Sequence, residues 1–202
     1  MSRSPSDPAA SSRLLRRGRL LEWITLAWNI VGVAVLTMLV LVSRSVSLLG
    51  FGLDSLIEIG ASIVVLWELA GTGALRQRRA LKLIGVAFIA LGVYLAVQST
   101  IALIDGHHSS LVPGSFVWTA MTAIVMFLLA SAKSRTGQAL GNPVLVAEGR
   151  VTFVDALLAA AVLAGLVADG LFAWWWADSI AAYVIVLYAV REAVSIFRPS
   201  RH

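Results

Sequence analysis

A chain of 202 residues that is 59% hydrophobic and only 13% charged, with a mean hydropathy of +0.87, carries too much apolar surface for a soluble domain, so its natural solvent is a lipid bilayer. The absence of cysteine excludes disulfides, thiolate metal ligands and cysteine nucleophiles, and leaves the redox compartment open. The net charge of +5 comes with no soluble basic domain, which argues against a nucleic-acid surface.

Residues 1–19, MSRSPSDPAASSRLLRRGR, are polar, basic and rich in Ser and Pro, and read as a disordered tail. The apolar run behind them is too long for a signal peptide and shows no cleavage site. Six apolar blocks follow, at 20–43, 47–70, 81–104, 115–132, 143–169 and 172–196. Each approaches the roughly 20 residues needed to span a bilayer. Each reads as an α-helix, because a helix satisfies its own backbone groups in lipid. The expected fold is an all-α membrane protein with six transmembrane helices over 20–196, ending in a short tail at 197–202.

Charge gives the expected topology. Arg3, Arg13, Arg16, Arg17 and Arg19 precede the first block; Arg76, Arg78, Arg79 and Lys82 separate the second and third. Lys133 and Arg135 follow the fourth, and Arg191, Arg198 and Arg201 close the chain. If the helices alternate, all fall on one side and only Arg44 falls on the other, which places both termini in the cytoplasm. Trp174, Trp175 and Trp176, between the last two blocks, suit a membrane interface.

The second block contains LLGFGLDSLIEIGAS, in which Asp54 and Glu58 stand four residues apart on one helix face. Ser47 and Ser55 lie nearby, and Gly50, Gly52 and Gly60 permit close helix packing. An ionised side chain near the bilayer centre costs roughly 3 kcal/mol on insertion scales. Two like charges on one face add repulsion. Protons, a cation or a basic partner must compensate.

The fifth block carries a matching stripe. Glu148, Val151, Thr152 and Asp155 fall at i, i+3, i+4 and i+7. At about 1.5 Å of rise per residue, Glu58 and Asp155 come near mid-membrane, with Asp54 toward the outside and Glu148 toward the cytoplasm. If the two faces meet, they form an acidic site with no basic residue at the same depth. Carboxylates are hard ligands, favouring Mg²⁺, Mn²⁺ or Ca²⁺, and Zn²⁺ also accepts them. The same groups take up protons when a metal leaves, so metal and proton compete. That is the minimum chemistry of an antiporter. The metal is then a transported substrate, and no cofactor is implied.

Other polar residues have plainer readings. Thr152 bonds either its own backbone or a metal. Asn29, in the first block, glues helices together or adds a secondary ligand. Asp178 opens the sixth block and reads as an N-terminal cap before it reads as a ligand. Arg150 points away from the acidic stripe and reads as snorkelling to the headgroups, with a structural salt bridge as the alternative. Glu68 faces the interface or pairs with Arg76 or Arg78. His107 and His108 lie in a polar loop and read as solvated.

The stretch SVSLLGFGLDSLIEIGAS resembles the second helix of the cation diffusion facilitators, the cation efflux family, with Asp54 and Glu58 at the positions of two acidic ligands. AEGRVTFVDALLAAAVLAGL resembles the fifth helix, with Asp155 at a ligand position, and WWWADSIAAYVIVLYAVREAV resembles the sixth. The resemblance covers roughly residues 20–196. It implies a dimeric exporter that exchanges Zn²⁺, or Mn²⁺, Fe²⁺, Co²⁺ or Cd²⁺, for protons between helices 2 and 5. Such a protein is expected in a bacterial inner (plasma) membrane. The sequence departs from the pattern in three places. Val151 stands where the family places a His, GTGALRQRRALK replaces a His-rich stretch, and no cytoplasmic metal-binding domain follows the sixth helix. These departures describe a short branch of the family whose homodimer would form through membrane helices. The alternative is a metal-binding or regulatory membrane protein that keeps the fold without transporting. A membrane-embedded metal enzyme ranks last, since no nucleophile or hydrolase motif accompanies the acids.

Overall fold

The apolar blocks become six helices: α1 (Pro8–Ser43), α2 (Val46–Leu69), α3 (Ala74–Asp105), α4 (Pro113–Leu140), α5 (Pro143–Phe172) and α6 (Ala177–Phe197). They are seen in a computed structural model that describes residues 8–43, 46–105, 113–172, 174 and 176–198. Among the described residues there is no strand. Four helices contain segments long and apolar enough to cross a membrane: Ala9–Val35, Ala74–Asp105, Phe116–Leu140 and Ser179–Phe197. The other two, α2 and α5, carry the acidic stripes.

Three helices run past the expected blocks. Residues 8–19, expected to be a disordered tail, form the first turns of α1. Pro8 opens the helix where its missing N–H costs nothing. Ala9, Ala10, Leu14, Leu15 and the arginines behind it are strong helix formers. This extension also packs. Leu15 rests on the main core, and at Gly18 a Cβ would stand 3.1 Å from Leu145 Cδ2 of α5. Similarly, α3 starts at Ala74 rather than 81, through its basic run, where the Arg76 guanidinium bonds the Trp67 carbonyl and lies 4.3 Å from the Trp67 ring centre. Helix α4 continues beyond 132 to Leu140, keeping Lys133 and Thr136 on its buried side.

The packing is a ring with a flanking pair. Helix α1 packs on α2, α2 on α5, α5 on α4, and α4 on α1. Helices α3 and α6 pack on each other; α3 also meets α2 and α5, and α6 meets α5. The main apolar core lies between ring and pair, around Val65, Ile84, Phe88, Leu91, Leu145 and Ala189. The stacked rings of Trp28 and Trp118, 5.2 Å apart, join α1 to α4. A hydrogen bond of 2.5 Å between Thr100 and Tyr183 joins α3 to α6.

Apolar side chains dominate the outside. Val86, Val93, Val97 and Ile101 of α3 and Val184 and Leu187 of α6 are all about half exposed or more. The inside holds Glu22, Asn29, Asp54, Glu58, Lys133, Glu148 and Thr152. Ionisable groups facing a bundle interior, behind a lipid-compatible surface, are the membrane arrangement.

Helices α4 and α5 fit closely because both carry glycine at their contact. A Cβ on Gly149 would meet Ser134 Oγ at 2.8 Å, Ser134 N at 3.1 Å and Lys133 Cβ at 3.2 Å. Since two of those atoms belong to backbone or a Cβ, the helices must part to admit it. Gly149→Ala is therefore expected to lower stability by about 1–3 kcal/mol, measured as a shift in unfolding in detergent; an unshifted transition would mean that α4 and α5 tolerate separation. The turn between them is set by Asn142. Its Oδ1 accepts from the N–H groups of Val144 (2.9 Å) and Leu145 (3.0 Å), with Pro143 opening the helix.

Candidate functional site

Four polar stripes converge inside the ring. On α1, Glu22, Thr25 and Asn29 fall at i, i+3 and i+7; on α2, Asp54, Glu58 and Ser62 fall at i, i+4 and i+8. On α5 the stripe is Glu148, Thr152 and Asp155, and α4 contributes Lys133. Each of these side chains is buried to at least nine-tenths except Asp155, which is partly exposed.

At the end of the ring farther from the α4–α5 turn, α5 meets α2. Asp155 lies within electrostatic and hydrogen-bonding reach of both Asp54 and Glu58. The Tyr94 ring of α3 comes within electrostatic reach of Asp54. Glu58 Oε2 accepts a hydrogen bond of 3.1 Å from Asn29 Nδ2, which also donates to the Thr25 carbonyl at 3.0 Å. Asn29 thus ties α1 to α2, the gluing role expected of it, and orients one oxygen of Glu58. The other oxygen, Oε1, is buried with no hydrogen-bond partner.

Toward the α4–α5 turn the chemistry changes. Lys133 Nζ donates to Glu148 Oε1 at 2.6 Å and to Thr152 Oγ1 at 3.1 Å, and stands 3.2 Å from Glu22 Oε2. Thr152 in turn donates to Glu148 Oε1 at 3.3 Å, and Ser62 Oγ of α2 donates to the same oxygen at 3.4 Å. The Thr152 hydroxyl thus joins the Lys133–Glu148 pair. Glu58 lies within electrostatic reach of Lys133 and Glu148, so the two clusters form one continuous polar line.

The expected pair of faces, α2 with α5, does meet, and it brings Asp54, Glu58 and Asp155 together. The expectation that no basic residue shares their interior is corrected by Lys133. Its position at the expected end of the fourth block made it look cytoplasmic, yet α4 continues for two turns beyond it and the ammonium turns inward. Glu148 is consequently held by Lys133 through one oxygen. Glu22 was missed altogether, although its spacing to Thr25 and Asn29 marks a polar stripe within an apolar helix.

The flanking residues also settle. Arg150 forms the salt bridge, its Nη1 standing 2.5 Å from Glu192 Oε2 of α6. Glu68 accepts from Asn142 Nδ2 at 2.9 Å, which links α2 to the α4–α5 turn. Asp178 is not the cap of α6: Trp176 occupies that position without a side-chain capping bond, and Asp178 stands inside the first turn. His107, His108 and the Asp178 side chain lie outside the described residues, as do the side chains of Ser47, Gly50 and Gly52. Among the described residues no group of three or more His, Asp or Glu is placed so as to hold a metal ion.

Chemically, the ring interior offers excess carboxyl groups: Asp54, Glu58, Asp155, Glu148 and Glu22, with Lys133 the one ammonium among the described residues inside it. Such a line of hard oxygens attracts cations. The family model for the cation efflux transmembrane domain matches residues 83–202, which takes in α4, α5, α6 and most of α3. Lys133, Glu148, Thr152 and Asp155 fall within the match, and Asp54 and Glu58 precede it. No curated protein matches the sequence.

Proposed function

The chain belongs to the cation efflux family, and on that premise we propose that it exports a divalent metal cation in exchange for protons, using Asp54, Glu58 and Asp155 as the cation site. It is an integral membrane protein of a family of cation transporters rather than enzymes. The observation that carries the site is the reach of Asp155 on α5 to both Asp54 and Glu58 on α2. Three carboxylates sharing a buried space cannot all stay ionised without a guest, because each desolvated charge repels the others. A divalent cation satisfies them, and protons satisfy them after it leaves. Alternation between the two guests is exchange. Glu58 Oε1, free of any hydrogen bond, is the oxygen best able to turn to a cation. Asn29 holds the opposite oxygen and fixes the carboxylate plane.

The reading places both termini in the cytoplasm by the positive-inside rule. It further takes the protein as a homodimer joined through membrane helices, in a bacterial inner membrane. An oxygen-only site favours Mn²⁺ and similar hard ions over Zn²⁺. Equilibrium binding in detergent tests the site: Asp155→Ala is expected to lose the Mn²⁺ bound by the unsubstituted protein, and equal binding by both would overturn the assignment.

Selectivity offers a second test. Val151 lies one turn before Asp155 and is buried in the main core. Val151→His is expected to shift preference toward Zn²⁺, because imidazole suits that ion. Competition between Mn²⁺ and Zn²⁺ for the variant measures it, and an unchanged ratio would mean that position 151 does not face the metal.

A further inference from the structure

The group around Lys133 is more than an ordinary ion pair. Its Nζ stands among oxygens of Glu148 (2.6 Å), Thr152 (3.1 Å) and Glu22 (3.2 Å), and Lys133, Glu22, Glu148 and Thr152 are all 0% exposed. One ammonium faces two carboxyl groups there. Glu22 Oε1 and Glu148 Oε2 are buried with no hydrogen-bond partner. Buried ion pairs normally have their remaining lone pairs satisfied. These orphaned oxygens are spare coordination capacity around a position already filled by a cation.

The origin of the parts also matters. The oxygens sit on α1 and α5, and Ser62 of α2 supports Glu148 from a third side. The cation comes from α4, on a flexible four-carbon stem. The cage and its guest are thus carried by different helices, and the guest is joined to the protein only by its stem.

We propose that Glu22, Glu148 and Thr152 form a second divalent-cation site, filled in this structure by the tethered ammonium of Lys133. The lysine closes this site to free metal and so confines cation binding to Asp54, Glu58 and Asp155. Its place in a transport cycle rests on the function proposed above; the cage itself rests on the geometry alone. Glu58, which reaches both clusters, links the two sites.

The test counts Mn²⁺ bound per chain by equilibrium dialysis of the purified full chain. Lys133→Met removes the ammonium and keeps the stem's bulk. The expected result is a single Mn²⁺ for the unsubstituted protein, a second for Lys133→Met, and loss of that second ion in Lys133→Met/Glu148→Gln. If Lys133→Met binds no more Mn²⁺ than the unsubstituted protein, the second site does not exist. If the variant unfolds in chelator, Mn²⁺ must restore its unfolding transition, and failure to restore it overturns the proposal equally. The outcomes separate this inference from the transport reading. An unsubstituted protein without Mn²⁺, beside a Lys133→Met variant that binds it, would sink the first site and keep the second; one ion bound in both proteins would do the reverse.

Discussion

Asp54→Asn is expected to abolish proton-coupled cation flux without loss of stability, and to make the folded protein more resistant to unfolding. The two effects have one cause. Asp54 is 4% exposed and faces Asp155 from α2, with Glu58 one turn along. Desolvation and like charge both oppose ionising these groups together. The amide keeps the shape and much of the hydrogen-bonding capacity, but it removes one negative charge. Relief of repulsion favours the fold, while a cation loses one of its carboxylate ligands. Flux in vesicles and thermal unfolding in detergent should therefore move in opposite directions. Retained flux would remove Asp54 from the site. Lost flux with a marked loss of stability would make Asp54 a structural residue.

Lys133→Met is expected to have the opposite signature in metal-free buffer, with a loss of about 3–5 kcal/mol in unfolding free energy. That is the usual cost of removing one partner from a buried ion pair, because the other charge is left uncompensated. Here two carboxylates, Glu22 and Glu148, lose the same partner. The triple variant Lys133→Met/Glu22→Gln/Glu148→Gln should recover most of the loss, since neutral side chains of similar volume often replace a buried network at little cost. Denaturant titration with chelator present measures both. If the single substitution costs no more than a surface change, within about 0.5 kcal/mol, the ammonium is not the counter-ion of the two acids. Where the expected loss is seen, divalent metal should offset it by mass action, because it binds only the folded chain.

The fold was legible wherever hydropathy carried it. Six apolar blocks became six helices, and the spacing of Glu148, Thr152 and Asp155 showed which side of α5 turns inward. The meeting of α2 with α5 followed from the assumption that buried acids seek one another. Charge was the misleading signal. It reads as water-facing at the basic end of the bundle, and it shortens α1, α3 and α4. Lys133 and Arg135 are two residues apart and look alike in sequence, yet Lys133 is fully buried and Arg135 is exposed. Only the helix phase separates them: Lys133 lies on the face with Met126, Ala130 and Gly137 that packs into the ring. Glu22 was hidden by its closeness to the arginines of α1, where a carboxylate reads as a surface ion pair. The partner that decides Glu22 sits 111 positions along the chain, at Lys133, and only the packing brings them together.

Flux of a divalent cation through proteoliposomes under an imposed pH gradient tests the central claim most directly. Mn²⁺, Zn²⁺, Fe²⁺, Co²⁺ and Mg²⁺ would each be offered to the unsubstituted protein and to Asp54→Ala. The account predicts saturable flux of at least one ion, driven by the proton gradient and absent in Asp54→Ala. Folded protein that moves none of these ions, or moves them equally well without Asp54, would contradict it.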